Sequence, residues 1–267
     1  MTQRNLLYKL LSLILCFRKG SQKKIKNINI NSISDVEKIM KKFNNKERIY
    51  RLWIPCDKIC MQGAFRYGNG WHPFVTFLEN GIDAFDSFYK NFQPRNIVEM
   101  YFVENSNELG CNLEPWMLPW AEHNNITPPA DEGGLSYIEH GASYFGKVSN
   151  EKLSYEQKRL LTTRDSIINV GYKPDDEING FFLKHENNFV FFVRGGKHRA
   201  AILSFLGYPR MPVVLRKGWK SVYSSNEVDN WDLVKANEIS KKLALEIFTA
   251  YFKYNGKEQF YKIYHNE

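Results

Sequence analysis

Residues 189–216 constrain this chain more tightly than any other stretch. Phe189-Val190-Phe191-Phe192-Val193 is β-branched and aromatic throughout, which suits a buried strand. The run ends in Arg194-Gly195-Gly196-Lys197-His198-Arg199. An apolar helix follows, ending at Gly207, and Met211–Leu215 reads as a second short strand. A strand, a glycine pair and a cationic helix start together build a site for an anion. The glycines allow a sharp turn, and the first helical N–H groups have no partner within the helix. The helix dipole and the neighbouring cations then favour negative charge. Residues 194–199 are therefore expected to bind phosphate, although a plain strand-to-helix turn with solvated charges has the same residues.

The helix upstream fits this expectation. Ser154-Tyr155-Glu156-Gln157 has the form of a capping box, and the helix is expected over residues 152–172. Leu160, Leu161, Ile167 and Ile168 fall on one packing side. Arg159, Thr162 and Ser166 form a separate polar stripe at i, i+3 and i+7.

Gly195-Gly196-Lys197-His198-Arg199-Ala200-Ala201, with the helix and Met211-Pro212-Val213 behind it, resembles the signature of the ParB/sulfiredoxin-like superfamily. The likeness covers roughly residues 140–216. In sulfiredoxins the stretch reads Gly-Gly-Cys-His-Arg and binds the phosphates of ATP; in ParB-type proteins a related stretch binds CTP or another nucleotide. The resemblance implies nucleotide binding by Arg194, Gly195, Gly196, Lys197, His198 and Arg199. It also implies that Arg159, Thr162 and Ser166 face the phosphates. One departure bears on mechanism: the sulfiredoxin nucleophile is the cysteine, and here Lys197 stands in its place. Sulfinic acid reduction by that route is excluded, and a lysine supplies a point charge for phosphate instead. The superfamily includes small-molecule kinases, a free serine kinase among them. The resemblance thus implies ATP and Mg2+ as cofactors and phosphoryl transfer as the reaction.

Phosphoryl transfer needs positioning, charge neutralisation and a group that orients the acceptor. Residues 121–150 have no clear periodicity and hold two adjacent prolines and four glycines, and long loops of this kind are usually functional or disordered. Glu139 and His140 are the expected pair there, Glu139 as base or magnesium ligand and His140 as a holder of phosphate or acceptor. Asp131 and Glu132 are second choices. Ordinary surface charge is an equal reading for each residue alone.

At 267 residues, 43% hydrophobic and 15% aromatic, the chain can bury one large core or two modest ones. The expected class is mixed α/β (α+β). Residues 1–26 would form a basic N-terminal helix, 27–120 an α/β accessory region, 121–220 the ParB/sulfiredoxin-like core, and 221–267 a C-terminal helix and tail. A net charge of +8 suits nucleic acid, an anionic membrane or phosphorylated substrates, and separates none of them. Leu6–Phe17 is too short to span a bilayer and contains Lys9, and Arg18-Lys19-Gly20 follows where a signal peptide would have small residues. An interfacial helix on an anionic membrane through residues 4–26 and a core helix fit it equally. Cys16, Cys56, Cys60 and Cys111 are too few for a disulfide scaffold, so the cysteines read as structural thiols in a reducing, cytoplasmic compartment.

Within 27–120, Ser34-Asp35-Val36-Glu37 reads as a capping box opening a helix to about Phe43. Arg48–Ile54, Phe74–Leu78 and Ile97–Val103 read as strands, and Ile82–Phe92 as a helix. Arg66, Tyr67, Trp71, His72 and the run Pro115–Trp120 are candidates to stack on a sugar or base, with burial the commoner use of such aromatics. Leu233–Phe252 reads as one amphipathic helix. Two functional classes follow. One is an ATP-dependent phosphotransferase acting on a small molecule or glycan precursor; the glycan enters through a resemblance to uncharacterised ParB-like proteins of bacterial surface-polysaccharide gene clusters. The other is a ParB-like DNA-associated protein or nuclease, which would need a helix-turn-helix that the last 50 or so residues do not show.

Overall fold

The computed structural model describes residues 26–43, 50–68, 71–103, 107–173, 177–254 and 256–265. The expectations for residues 1–25 and for Arg48 lie outside them.

The fold is mixed α/β, built on a seven-stranded mixed sheet. Its strands are β1 (Lys26–Asn29), β2 (Tyr50–Pro55), β3 (Ile59–Cys60), β4 (Ile178–His185), β5 (Asn188–Gly195), β6 (Arg210–Leu215) and β7 (Val222–Ser224). The order is β1-β2-β6-β4-β5-β3, with β7 also paired to β4. The hairpin β4–β5 is antiparallel and forms the centre: Phe181 faces Phe192 and Phe182 faces Phe191 across the strands. The Phe181 and Phe192 rings stack at 5.0 Å, and such cross-strand aromatic pairs stabilise a sheet. A register irregularity separates Asn179 from Gly180. Only glycine fits at 180, because a Cβ there would lie 1.8 Å from the Phe192 carbonyl oxygen. The irregularity leaves Asn179 opposite Gly195, at the start of the glycine pair.

Strands from residues 26–60 lie in the same sheet as strands from 178–224, β2 beside β6 and β3 beside β5. The division drawn at residue 120 is not a division of the sheet, and one continuous hydrophobic cluster extends from Ile30 to Ile263.

The helices are α1 (Ile33–Phe43), α2 (Pro73–Asn80), α3 (Ile82–Asn91), α4 (Ile97–Met100), α5 (Tyr137–His140), α6 (Asn150–Val170), α7 (Lys197–Phe205), α8 (Asp232–Lys235), α9 (Lys241–Lys253) and α10 (Lys257–Tyr264). Three local expectations are corrected. Phe74–Leu78 is helix α2, not strand. The His72 ring nitrogen Nδ1 caps it by accepting from the Phe74 N–H, and Pro73 opens the first turn. Residues 73–78 are all buried, and a helix buried on every side shows no period that distinguishes it from a buried strand. Ile97–Val103 begins as the single turn α4, capped by Asn96, whose side chain accepts from the Glu99 N–H at 2.9 Å. Leu233–Phe252 is broken between α8 and α9, with Asn237 at φ +56° and Ser240 capping the second helix.

The capping residues also move. Helix α6 starts at Ser149, whose hydroxyl accepts from the Lys152 N–H, so Ser154 lies inside the helix. At α1 the box is Ser32 with Asp35, two residues before the one expected. No helix among the described residues is long and apolar enough to cross a membrane.

Candidate functional site

Helix α7 leaves β5 through Gly196, which adopts the left-handed conformation at φ +81°. A side chain there would be strained, and its Cβ would come 2.9 Å from the Glu177 carbonyl oxygen. No side chain caps this end of the helix, so its first amides are open to a ligand. In front of it lies a cleft of about 180 Å³, bounded by Glu132, Ser143, Arg159, Thr163 and the run Arg194–Arg199. Among the described residues, four cations, Arg159, Arg194, Lys197 and Arg199, thus line the cleft with a single carboxylate, Glu132.

An alternating chain of charges runs from the mouth of the cleft to its floor. Arg159 Nη1 lies 3.2 Å from Glu132 Oε1, and Lys152 Nζ lies 2.9 Å from Glu132 Oε2. Lys152, almost fully buried, also reaches Glu156 Oε1 at 3.2 Å. Glu156 is fully buried, and its Oε2 lies 2.6 Å from His198 Nε2. Burial alone would raise the Glu132 pKa; Lys152, Lys197 and Arg159 overcome it and hold the carboxyl at about 2. The His198 ring is also fixed from the side, stacked on Phe74 at 5.1 Å.

Lys197 stands apart from this network. Its ammonium makes no hydrogen bond or ion pair with any described residue and rests 3.7 Å above the centre of the Tyr144 ring. Burial lowers its pKa to about 7, and the Arg194 guanidinium pushes the same way against weaker support from Glu132 and Glu156. Arg194 is desolvated too and lies over the Trp219 ring at 4.9 Å, while Arg199 donates to the Glu177 carbonyl at 2.9 Å. The cleft therefore carries unbalanced positive charge in a partly dehydrated place, the condition under which an anion binds well.

The expected site residues divide. Arg159, Arg194, Gly195, Gly196, Lys197, His198 and Arg199 all line the cleft. Thr162 and Ser166 do not; both are exposed, and Thr163, four residues after Arg159, takes the place on the cleft side. The stripe was displaced because the inner face of α6 is polar as well as apolar: Lys152 and Glu156 are buried alongside Leu160 and Ile167. Glu139 and His140 are also outside the cleft. Glu139 is exposed and borders a second cavity with Tyr137, Phe145 and Ser149. His140 Nδ1 pairs with the Ser149 hydroxyl at 2.9 Å, tying α5 to the start of α6. The carboxylate that reaches the cleft is Glu132, on the tight turn Glu132–Leu135, while Asp131 accepts from the Tyr137 N–H.

Sequence reasoning missed Glu156, Lys152 and Ser143. Glu156 and Lys152 are four apart, the one signal available, and charged pairs at that spacing are ordinary on exposed helices. Of the aromatic candidates, Tyr67, His72 and Trp120 are buried, as is Arg66. Burial drives the His72 pKa well below its usual value, and its Nε2 has no partner. Cys56, Cys60 and Cys111 are free thiols, and burial raises Cys56 to about 11 and Cys60 to about 12, so neither is a ready nucleophile.

For Mg2+ the cleft offers one carboxylate, Glu132, already held by two cations, and the described residues contain no cluster of three ligating side chains. Further coordination would come from phosphate oxygens and water. The volume suits the phosphate end of a nucleotide, since sites that enclose whole ligands of that size run from about 300 Å³ upward.

Comparison with protein-family models, with curated proteins and with solved structures gives no match for this chain.

Proposed function

We propose that the cleft before α7 binds the phosphates of a nucleotide, ATP in the first instance, and that the protein transfers a phosphoryl group to a small molecule or glycan precursor. One observation carries the reading: four cationic side chains and the uncapped amides of α7 converge on one cleft with a single, already neutralised carboxylate. The resemblance of residues 195–201 to the ParB/sulfiredoxin-like signature supports it, and so does the placement of Arg159 opposite that signature. The site has the parts this chemistry asks of a protein, which are positioning and charge. Arg159, Arg194 and Arg199 orient the phosphates, and the α7 N–H groups donate to the developing negative charge. Lys197 regains its proton and its full charge when the anion arrives. Among the described residues, Glu132 is the one carboxylate lining the cleft that could meet a phosphate-bound Mg2+.

The test is calorimetric titration with ATP, CTP and GTP, each with magnesium, joined to an assay for nucleoside diphosphate. Micromolar binding of ATP with slow turnover supports the reading. Preference for CTP without turnover would favour a ParB-like switch and direct attention to DNA. No binding of any nucleotide would overturn it.

A further inference from the structure

The position of His198 goes beyond a phosphate contact. Its Nε2 lies 2.6 Å from Glu156 Oε2, and two bare acceptors cannot approach so closely, so a proton lies between them. The ordinary placement is on Nε2, donated to a carboxylate that is itself fully buried and held by Lys152. That fixes the tautomer and leaves the lone pair on Nδ1. Nδ1 has no hydrogen-bond partner among the described residues, it is not one of the sealed polar atoms of the interior, and His198 is among the residues that line the cleft. Phe74 stacked on one face prevents the ring from turning away. A ring nitrogen with its lone pair free, braced by a carboxylate on the opposite nitrogen, is the arrangement of an activated nucleophile.

Size favours the same conclusion. At about 180 Å³ the cleft is filled by the phosphate end of a nucleotide, so donor phosphates and acceptor do not share its interior. A reaction in which they visit in turn needs a carrier for the phosphoryl group between the two visits. Glu132 is tied to two cations and poorly suited to that task, Ser143 and Thr163 offer plain hydroxyls, that of Thr163 donated to the Arg159 carbonyl, and Lys197 and His198 are the remaining nucleophiles among the described residues lining the cleft. Only His198 has a partner that holds it in one tautomer.

We infer that His198 Nδ1 is a phosphoryl carrier, phosphorylated by a phosphate donor bound in the cleft and discharged to the acceptor. This rests on the reading of the cleft as a phosphate site. In the first step the Nδ1 lone pair forms an N–P bond while the P–O bond to the leaving group breaks, and the electron pair departs with the nucleoside diphosphate. In the second, an acceptor hydroxyl attacks phosphorus, the N–P pair returns to Nδ1, and the hydroxyl proton passes to solvent. Arg194, Lys197 and the α7 amides surround the phosphoryl group in both steps. Glu156 is a positioning residue, acting through the His198 ring.

The experiment incubates the full chain with ATP labelled on its terminal phosphate and, separately, with labelled acetyl phosphate, without acceptor, and measures nucleotide affinity on the same samples. The expected result is label stable in alkali and lost in acid, mapped by mass spectrometry to the peptide holding His198. H198N should abolish the label. E156Q should lower the labelling rate on the order of a hundredfold while affinity changes little. Mapping on the unaltered chain decides the matter even if H198N does not fold. Tight nucleotide binding with turnover and no label, or label on another residue, would overturn the inference and leave the phosphate reading standing. Failure of both donors to bind or label would remove both.

Discussion

Protonation of Lys197 should be coupled to ligand binding, and the coupling can be worked out from its surroundings. In the free cleft the amine has a pKa of about 7 against an ordinary 10.5, first through burial and then through Arg194. At pH 8 about 0.9 of the Lys197 side chains are therefore neutral, and at pH 6 about 0.1. A phosphate dianion beside the amine supplies the counter-charge now missing and restores the usual pKa. Binding should then take up close to one proton at pH 8 and almost none at pH 6. A terminal phosphate, with its second pKa near 6, is already a dianion at pH 8 and contributes little of its own. The assay is calorimetric titration of ATP at pH 8 in buffers of different ionisation enthalpy, whose slope counts the protons. K197M should abolish the slope and weaken binding about tenfold or more, by the worth of a charged hydrogen bond. Binding at pH 8 with zero slope would show that the anion does not approach Lys197, and the geometry argued for the cleft would fall. The same residue sets a stability trend in the free protein. Between pH 7 and 10.5 the unfolded chain holds a proton that the folded cleft lacks, so stability should rise with pH across that window. The slope is at most about 1.4 kcal/mol per pH unit and the total at most about 5 kcal/mol. K197M should lose this slope and be the more stable protein below pH 7.

Three further outcomes are expected. Glu132 has a depressed pKa, so the stability it contributes is complete above about 4.5 and is lost as pH falls toward 2; acid unfolding of E132Q should lack that limb. E132Q should also tighten the binding of magnesium-free anions, since it removes the only negative charge among the described residues lining the cleft, while leaving Lys152 with one partner costs about 1–3 kcal/mol in denaturant melts. An unchanged affinity would argue against the cleft as the anion site. G196A should destabilise the fold by about 1–3 kcal/mol and weaken nucleotide binding, because it strains the residue that aims the α7 amides. G180A should be worse, failing to give soluble protein in expression trials, since the added Cβ collides with a strand backbone that has nowhere to move. Normal folding of G180A would contradict the central hairpin register.

The β5–α7–β6 segment was legible in the sequence for a definite reason. Its strand is a continuous apolar run, its turn is a glycine pair, and its helix is bounded by Gly207, so local chemistry and final fold agree at each step. Helix α3 and the existence of α6 were legible on similar grounds. Helix α2 was not, because burial on every side erases the period that separates helix from strand, and its cap is a histidine ring, an unusual capping group. The turn α4 followed the same pattern at smaller scale: its length gives too few residues for periodicity to register.

The site shows the same division. The residues contiguous with the turn, 194–199, are brought to the cleft by their own local geometry, and a sequence can specify that much. The carboxylate opposite them comes from a turn 62 to 67 residues earlier, and nothing in its neighbours distinguishes Glu132 from Glu139. The choice is made by docking the Glu132–Leu135 turn on α6, where Lys152 and Arg159 receive it, while α5 sends Glu139 outward. Thr163 displaces Thr162 because α6 rolls so that Lys152 and Glu156 go inward, an orientation set by their ion pairs with Glu132 and His198. Local chemistry along the chain is enough to specify a strand, a glycine turn and a cationic helix start. Which distant charges face that turn is settled by packing, because pairing a buried charge is a property of the packed neighbourhood and not of the chain around it.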